Sequence, residues 1–152
     1  EVIEITGHPF SASLPCYEDV VPTVHIALRC ERRLLDLRIN ARAHAMFERG
    51  LVEEVETLIG QGIREGETAP RAIGYAQALA VIDGTMSVPE AVDSTALATR
   101  QLASRQIKWF RRDPRVRWID VELTEDGRCT DAERSRVTRQ ARELVLAVDG
   151  VA

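Results

Sequence analysis

The stretch from Ser87 to Arg112 constrains this chain more than any other. Ser87 is followed by Pro89 and Glu90, a capping-box pattern with proline in the first turn. Apolar residues then recur at helical spacing until Asp113-Pro114, where the residue before a proline is biased away from helix. A single helix over about 87–112 is therefore expected, long enough to cross a small domain. Its two sides differ. Ala96, Ala103, Ile107 and Phe110 share one face, while Gln101, Arg105, Lys108 and Arg112 share another. One side packs and the other carries cations.

Around this helix the pattern changes twice. Val24, Ile26 and Leu28 alternate with Thr23, His25 and Ala27, predicting a strand over about 23–29. From Glu31 the period becomes helical through Leu34, Leu35, Ile39, Ala43 and Met46, with Gly50 as the stop. Leu51, Val55, Leu58 and Ile59 predict a second helix ending at Gly60 or Gly62. Residues 66–70 read as a loop, 73–83 as a shorter helix closed by Gly84, 116–121 as a strand and 131–148 as a terminal helix. Two strands among about five helices do not complete a sheet. The chain is thus either nearly all-α or a helix-rich α/β unit whose strands join others. It opens on Glu1-Val2-Ile3-Glu4-Ile5 without an initiator methionine, as though inside an element, so it reads as cut from something longer.

At 152 residues and 45% hydrophobic composition, one domain with a real core is expected. No apolar run approaches a membrane span and no signal-peptide pattern is present, so a soluble, cytoplasmic protein without a membrane partner is expected. Cys16, Cys30 and Cys129 fit neither a disulfide framework nor a metal site, and are read as reduced and structural. The formal charge of -4 speaks against a nucleic-acid partner, but its distribution does not. Arg100, Arg105, Lys108, Arg111, Arg112, Arg115 and Arg117 lie against the single acid Asp113, whereas 48–67 is acid-rich.

Three constellations carry possible chemistry. The first is 99–111, TRQLASRQIKWFR, on the long helix. A guanidinium fork grips phosphate in two places, and an amide both donates to and accepts from base edges. A solvated basic face explains the charge equally well. Trp109 and Phe110 are expected to be core anchors before they are base-stacking platforms. The second is Arg71-Ala72-Ile73-Gly74-Tyr75-Ala76-Gln77, where a loop meets a helix. It suits an anion, or simply a helix start with Tyr75 half buried. The third is Arg38-Ile39-Asn40-Ala41-Arg42, one turn of helix after the main strand, near which α/β proteins bind ligands; surface charge is the plainer reading. His8, His25 and His44 lack ligand spacing, and Glu53, Glu54 and Glu56 read as a solvated face. No phosphate-loop, GxSxG or CxxC motif occurs.

Taken in order, EVIEITG at 1–7, RINAR at 38–42 continuing to Val55, AIGYAQ at 72–77, and TRQLASRQIKWFRR at 99–112 followed by Trp118-Ile119-Asp120 resemble the tRNA dimethylallyltransferase family. The resemblance runs over about 1–120, leaving 121–152 as a helical extension of unknown role. It implies the C-terminal part of a P-loop NTPase-like α/β domain. The activity implied is transfer of a dimethylallyl group from dimethylallyl diphosphate to the exocyclic amine of the adenosine 3′ of the anticodon, with magnesium (Mg2+) assisting and a nucleotide-binding, ATP-type fold behind it. By the resemblance, Arg42 would lie near the diphosphate as the catalytic cation. The tRNA contacts would be Arg71, Ala72, Ile73, Gly74, Tyr75 and Ala76, then Ser104, Arg105, Gln106, Ile107, Lys108, Trp109, Phe110 and Arg111. The family commonly has a basic residue where Ala76 stands and often lysine where Ser104 stands, so phosphate contacts there would be lost unless neighbours such as Arg112 supply the charge. The glycine-rich loop, the aspartate base and the magnesium ligands would belong upstream of Glu1. Hence the parent enzyme is expected to be a monomer, and this segment alone is expected to transfer no prenyl group and to self-associate through an uncovered apolar face. The alternatives are a non-catalytic helical RNA- or protein-binding module and a fragment of a P-loop kinase or other NTPase.

Overall fold

The computed structural model describes residues 17–149. The readings placed on 1–16, including EVIEITG, His8 and Cys16, lie outside them. Strand β1 (His25–Arg29) is followed by helices α1 (Arg32–Glu48), α2 (Leu51–Ile59), α3 (Tyr75–Ile82) and α4 (Val88–Phe110), then strand β2 (Val116–Asp120) and helix α5 (Asp131–Asp149). Two short 3-10 turns, Ile63–Glu65 and Ala69–Arg71, occupy the connection expected to be plain loop. The result is a helix-rich α/β unit.

Helix α4 begins as its sequence demands. The Glu90 carboxylate accepts from the Ser87 backbone N–H at 2.8 Å and from the Ser87 hydroxyl at 2.6 Å, which also holds that carboxyl below its ordinary range. A negative charge in the first turn is favourable against the helix dipole. The helix ends at Phe110, two residues before the predicted stop. The Arg112 and Asp113 N–H groups bond carbonyls only three residues back, so the last turn tightens ahead of Pro114.

The closed core is helical. Ile39, Ala43 and Phe47 of α1, Leu51 and Val55 of α2, Ala78 and Leu79 of α3, and Ala91, Val92 and Ala96 of α4 form one buried cluster. Alanines on α1, α3 and α4 let the helices approach closely. The two strands pair in parallel, with Ala27 opposite Trp118, and stand at the edge of this core. Parallel strands are ordinarily covered on both faces, yet Leu28 is 57% exposed.

After β2 the chain turns back through Gly127, whose φ of +76° suits glycine and whose missing Cβ would lie 2.9 Å from the Leu34 carbonyl of α1. Helix α5 is then tied to the end of β2. Glu133 accepts from the Glu122 N–H at 2.8 Å and pairs with Arg136, whose Nη2 donates to the Asp120 carbonyl. Arg136 and the Glu122 N–H hold the Glu133 carboxyl down at about 2. Its folded value lies below the ordinary 4.5, so its contribution is complete above that value and is lost as pH falls through about 2. Amide exchange in the first turn of α5 is therefore expected to stay slow at pH 4, while Glu133→Gln is expected to lose that acid dependence. Rapid exchange already at pH 4 would show that the pair does not hold the helix.

Candidate functional site

Three segments far apart in sequence meet at one cavity of about 190 Å³ between α1 and α4. Ile39, Arg42, Ala43 and Met46 come from α1, Ile73 from the turn before α3, and Thr95, Thr99 and Leu102 from α4. The segments are tied directly as well, since Arg100 of α4 donates to the Asn40 side chain of α1. Arg42 is exposed and has no hydrogen-bond or acid partner among the described residues. Among the described residues its guanidinium is the one charged group on a wall otherwise made of aliphatic carbon, the Met46 thioether and two hydroxyls.

Thr95 is 2% exposed, and its hydroxyl has no hydrogen-bond partner among the described residues. Leaving such a group unpaired costs about 1–3 kcal/mol. Thr95→Val is accordingly expected to raise the unfolding free energy in urea by about 1 kcal/mol; a loss of stability would mean that the hydroxyl is satisfied in the folded protein.

The turn that presents Ile73 is built by Gly74. Its φ is +98°, and a Cβ there would meet Met46 Cε at 3.1 Å. The Gln77 side chain accepts from the Gly74 N–H at 2.8 Å. Tyr75 is half buried, as the plainer reading expects, and its hydroxyl donates to Glu54, which pushes the phenol up from its ordinary value. Arg71 and Ala72 are exposed, and Ala76 is half buried.

Helical geometry spreads 104–111 over three sides of α4. Ser104, Ile107, Lys108 and Arg111 line a recess of about 340 Å³ with Arg29, Cys30, Arg32, Leu35 and Trp118. Gln106, Ile107 and Phe110 line a larger, mostly apolar hollow of about 630 Å³ against β1, β2 and the following loop. Arg105 and Trp109 line neither. The expectation of core anchors fails for both aromatics: Trp109 is 64% and Phe110 37% exposed, and their rings meet edge to face at 5.0 Å. The apolar stripe of α4 is fully buried only as far as Ala96, and Ala103 packs half-buried against the same core. Beyond it lies the open hollow under a two-stranded sheet, where Phe110 lines the wall and stays partly exposed.

The basic run is not one surface. Arg115 is consumed by Asp113 at 2.7 Å and Asp19 at 2.6 Å, and it holds the Asp113 carboxyl at about 2. Arg105, Lys108, Arg111, Arg112 and Arg117 have no acid partner among the described residues. Cys30 and Cys129 are free thiols that both line the larger hollow, and burial pushes the Cys30 thiol up. His25 bonds Asp19 at 2.8 Å, while His44, Glu53 and Glu56 stand on exposed helix faces. The role of Arg32, which reaches across from α1 to α4, left no mark in spacing or periodicity.

A family model described as IPP transferase matches residues 1–113. A tRNA dimethylallyltransferase of Pseudarthrobacter chlorophenolicus is 52% identical over 120 residues, 79% of this chain and 40% of that protein. One of Streptomyces coelicolor is 46% identical over 145 residues, 95% of this chain and 44% of that protein. The crystal structure of a full-length tRNA isopentenylpyrophosphate transferase from Bacillus halodurans superposes with a TM-score of 0.69 at 30% identity, covering 99% of this chain and 45% of that one. The chain thus spans about two fifths of the length of the curated relatives it matches.

Proposed function

The chain belongs to the IPP transferase family, and from that membership we propose that it serves, within the full-length protein, to transfer a dimethylallyl group from dimethylallyl diphosphate to the exocyclic amine of the adenosine 3′ of the anticodon in tRNA. The observation that carries this is the convergence of 39–46, Ile73 and 95–102 on one small cavity beside Arg42, which no described residue pairs. An aliphatic wall with a single cation matches a prenyl diphosphate, apolar at one end and anionic at the other. As the amine nitrogen bonds to the allylic carbon, the carbon–oxygen bond breaks and the diphosphate leaves with the electron pair. Arg42 would stabilise the charge that gathers on it. The amine proton passes to a base that the resemblance assigns to the segment before Glu1.

The tRNA would lie over Arg71 to Ala76 and Ser104 to Arg111, with Lys108 and Arg111 on its phosphates, and the adenosine must leave its stack to be reached. Residues 1–120 belong in this proposal to the core domain and 121–152 to an extension, whose helix α5 is tied to the end of β2. Such a substrate places the protein in the cytoplasm, and among the described residues no helix is long and apolar enough to cross a membrane. The family resemblance implies magnesium as well. Among the described residues no three His, Cys, Asp or Glu side chains gather into a metal site, and the resemblance assigns the ligands of that ion to a part of the full-length protein outside this segment.

The test is prenyl transfer by the full-length protein to an anticodon stem-loop, with the target adenosine present or replaced by guanosine. Transfer that depends on the adenosine supports the reading, and failure to prenylate either RNA overturns it. The segment by itself is expected to self-associate through the hollow that exposes Leu28 and Phe110. A monodisperse monomer in sedimentation velocity would refute that.

A further inference from the structure

Among the described residues, four cations and no acid line the recess beside Ser104. Arg29, Arg32, Lys108 and Arg111 surround a floor of Leu35, Ile107 and Trp118. The cations are not equivalent. Arg29 is taken up by Asp120, its Nη2 donating at 3.0 Å and its Nε to the other carboxylate oxygen. Lys108 and Arg111 are free of acid partners among the described residues. Arg32 is held differently: its Nε donates to Asp36 at 3.0 Å, one turn along α1, and its Nη1 crosses to α4 and donates to the Ser104 hydroxyl at 2.8 Å. Asp36 does not line the recess. A guanidinium has five N–H donors, so gripping Nε from one side and anchoring one Nη1 hydrogen on a neutral hydroxyl leaves the rest of the fork unspent.

We propose that Arg32 is a phosphate-binding residue of the tRNA surface, projected from α1 to the position of Ser104 so that Arg32, Lys108 and Arg111 together grip the RNA backbone. This rests on the tRNA reading above and extends it to a residue on another helix. A fixed guanidinium suits a phosphodiester better than a mobile ammonium, because its planar fork meets two oxygens at once. The uncharged partner matters. Asp36 already pairs with Nε at the back of the fork; a second acid at position 104 would close it, whereas a hydroxyl orients it and leaves its remaining N–H donors for an anion. The apolar floor keeps water from the inner side of the cations and strengthens their field on an anion at the mouth.

Binding of an anticodon stem-loop to the full-length protein, measured by fluorescence anisotropy over a range of salt concentrations, tests this. Arg32→Gln is expected to weaken binding roughly three- to tenfold at low salt and to reduce the slope of log affinity against log salt by about 1. Adding Ser104→Lys to that variant returns a cation to the recess from α4, and is expected to restore both. Lys108→Gln is the parallel arm for the part of the surface proposed above. Should Lys108→Gln lose affinity and slope while Arg32→Gln keeps both, the tRNA surface stands and Arg32 is not on it. A loss of affinity from Arg32→Gln with an unchanged salt slope also overturns the proposal, since only a lost ionic contact moves the slope. Wild-type protein that does not bind the stem-loop at all overturns both readings.

Discussion

Arg42→Gln in the full-length protein is expected to lower the turnover of prenyl transfer roughly a hundred- to a thousandfold, the usual cost of removing one group aimed at charge that develops in the transition state. Glutamine keeps a polar, hydrogen-bonding end but brings no positive charge to the diphosphate. The loss should fall mainly on kcat, because the diphosphate gains its extra negative charge only as the allylic bond breaks. Stability should change by less than about 0.5 kcal/mol, since Arg42 is exposed and no described residue pairs with it. Lysine at the same place retains the charge without the fork and should fall between the two. Single-turnover measurements with saturating dimethylallyl diphosphate read the chemical step directly. A rate within threefold of wild type would remove Arg42 from the reaction and leave it a surface charge.

The second large effect is structural. Gly74→Val is expected to destabilise the protein by roughly 2–6 kcal/mol, from backbone strain of about 1–3 kcal/mol and overpacking of similar size. At φ +98° a side chain is strained whatever space is available, and here there is little, with Met46 Cε at 3.1 Å and Leu51 Cδ2 at 3.5 Å from the added Cβ. Leu51 belongs to the buried core and Met46 packs against it, so yielding at this point disturbs α1 and α2 together. Gly74→Ala carries mainly the strain and should lose about 1–3 kcal/mol. Urea unfolding of both variants beside the wild type checks the order. Equal midpoints would mean that the turn relaxes freely and does not set the position of Ile73. A fall in stability for both, larger for valine, would connect this glycine to the cavity through Ile73, which lines it beside Arg42.

Most of the secondary structure was legible because it rests on local rules. The capped start at Ser87, the glycine stop at Gly50 and the alternation through Ile26 and Leu28 each act within a few residues. They give the observed elements to within about two residues at most ends. Gly74 was legible as a place for close approach, though not what approaches it. The resemblance carried Arg42 and the two RNA segments as expectations, and the fold and family agree with it. What the period could not report is where an apolar stripe stops being core. Ala96 and Phe110 lie on the same side of α4, yet one is buried and the other 37% exposed, because the neighbours that cover the first come from α1 and α3.

The sequence by itself determined the elements, the sidedness of the long helix and the family, since each is written in spacing and residue type along the chain. Tertiary structure alone decided which charges remain available. Arg115 is spent on Asp113 and Asp19, 2 and 96 residues away, and Arg32 is carried 72 residues across to Ser104. It also decided that Arg42, Ile73 and Leu102 share one wall. Pairing and convergence depend on distances between helices, and those are set by how the alanine faces of α1, α3 and α4 close on one another rather than by any single segment.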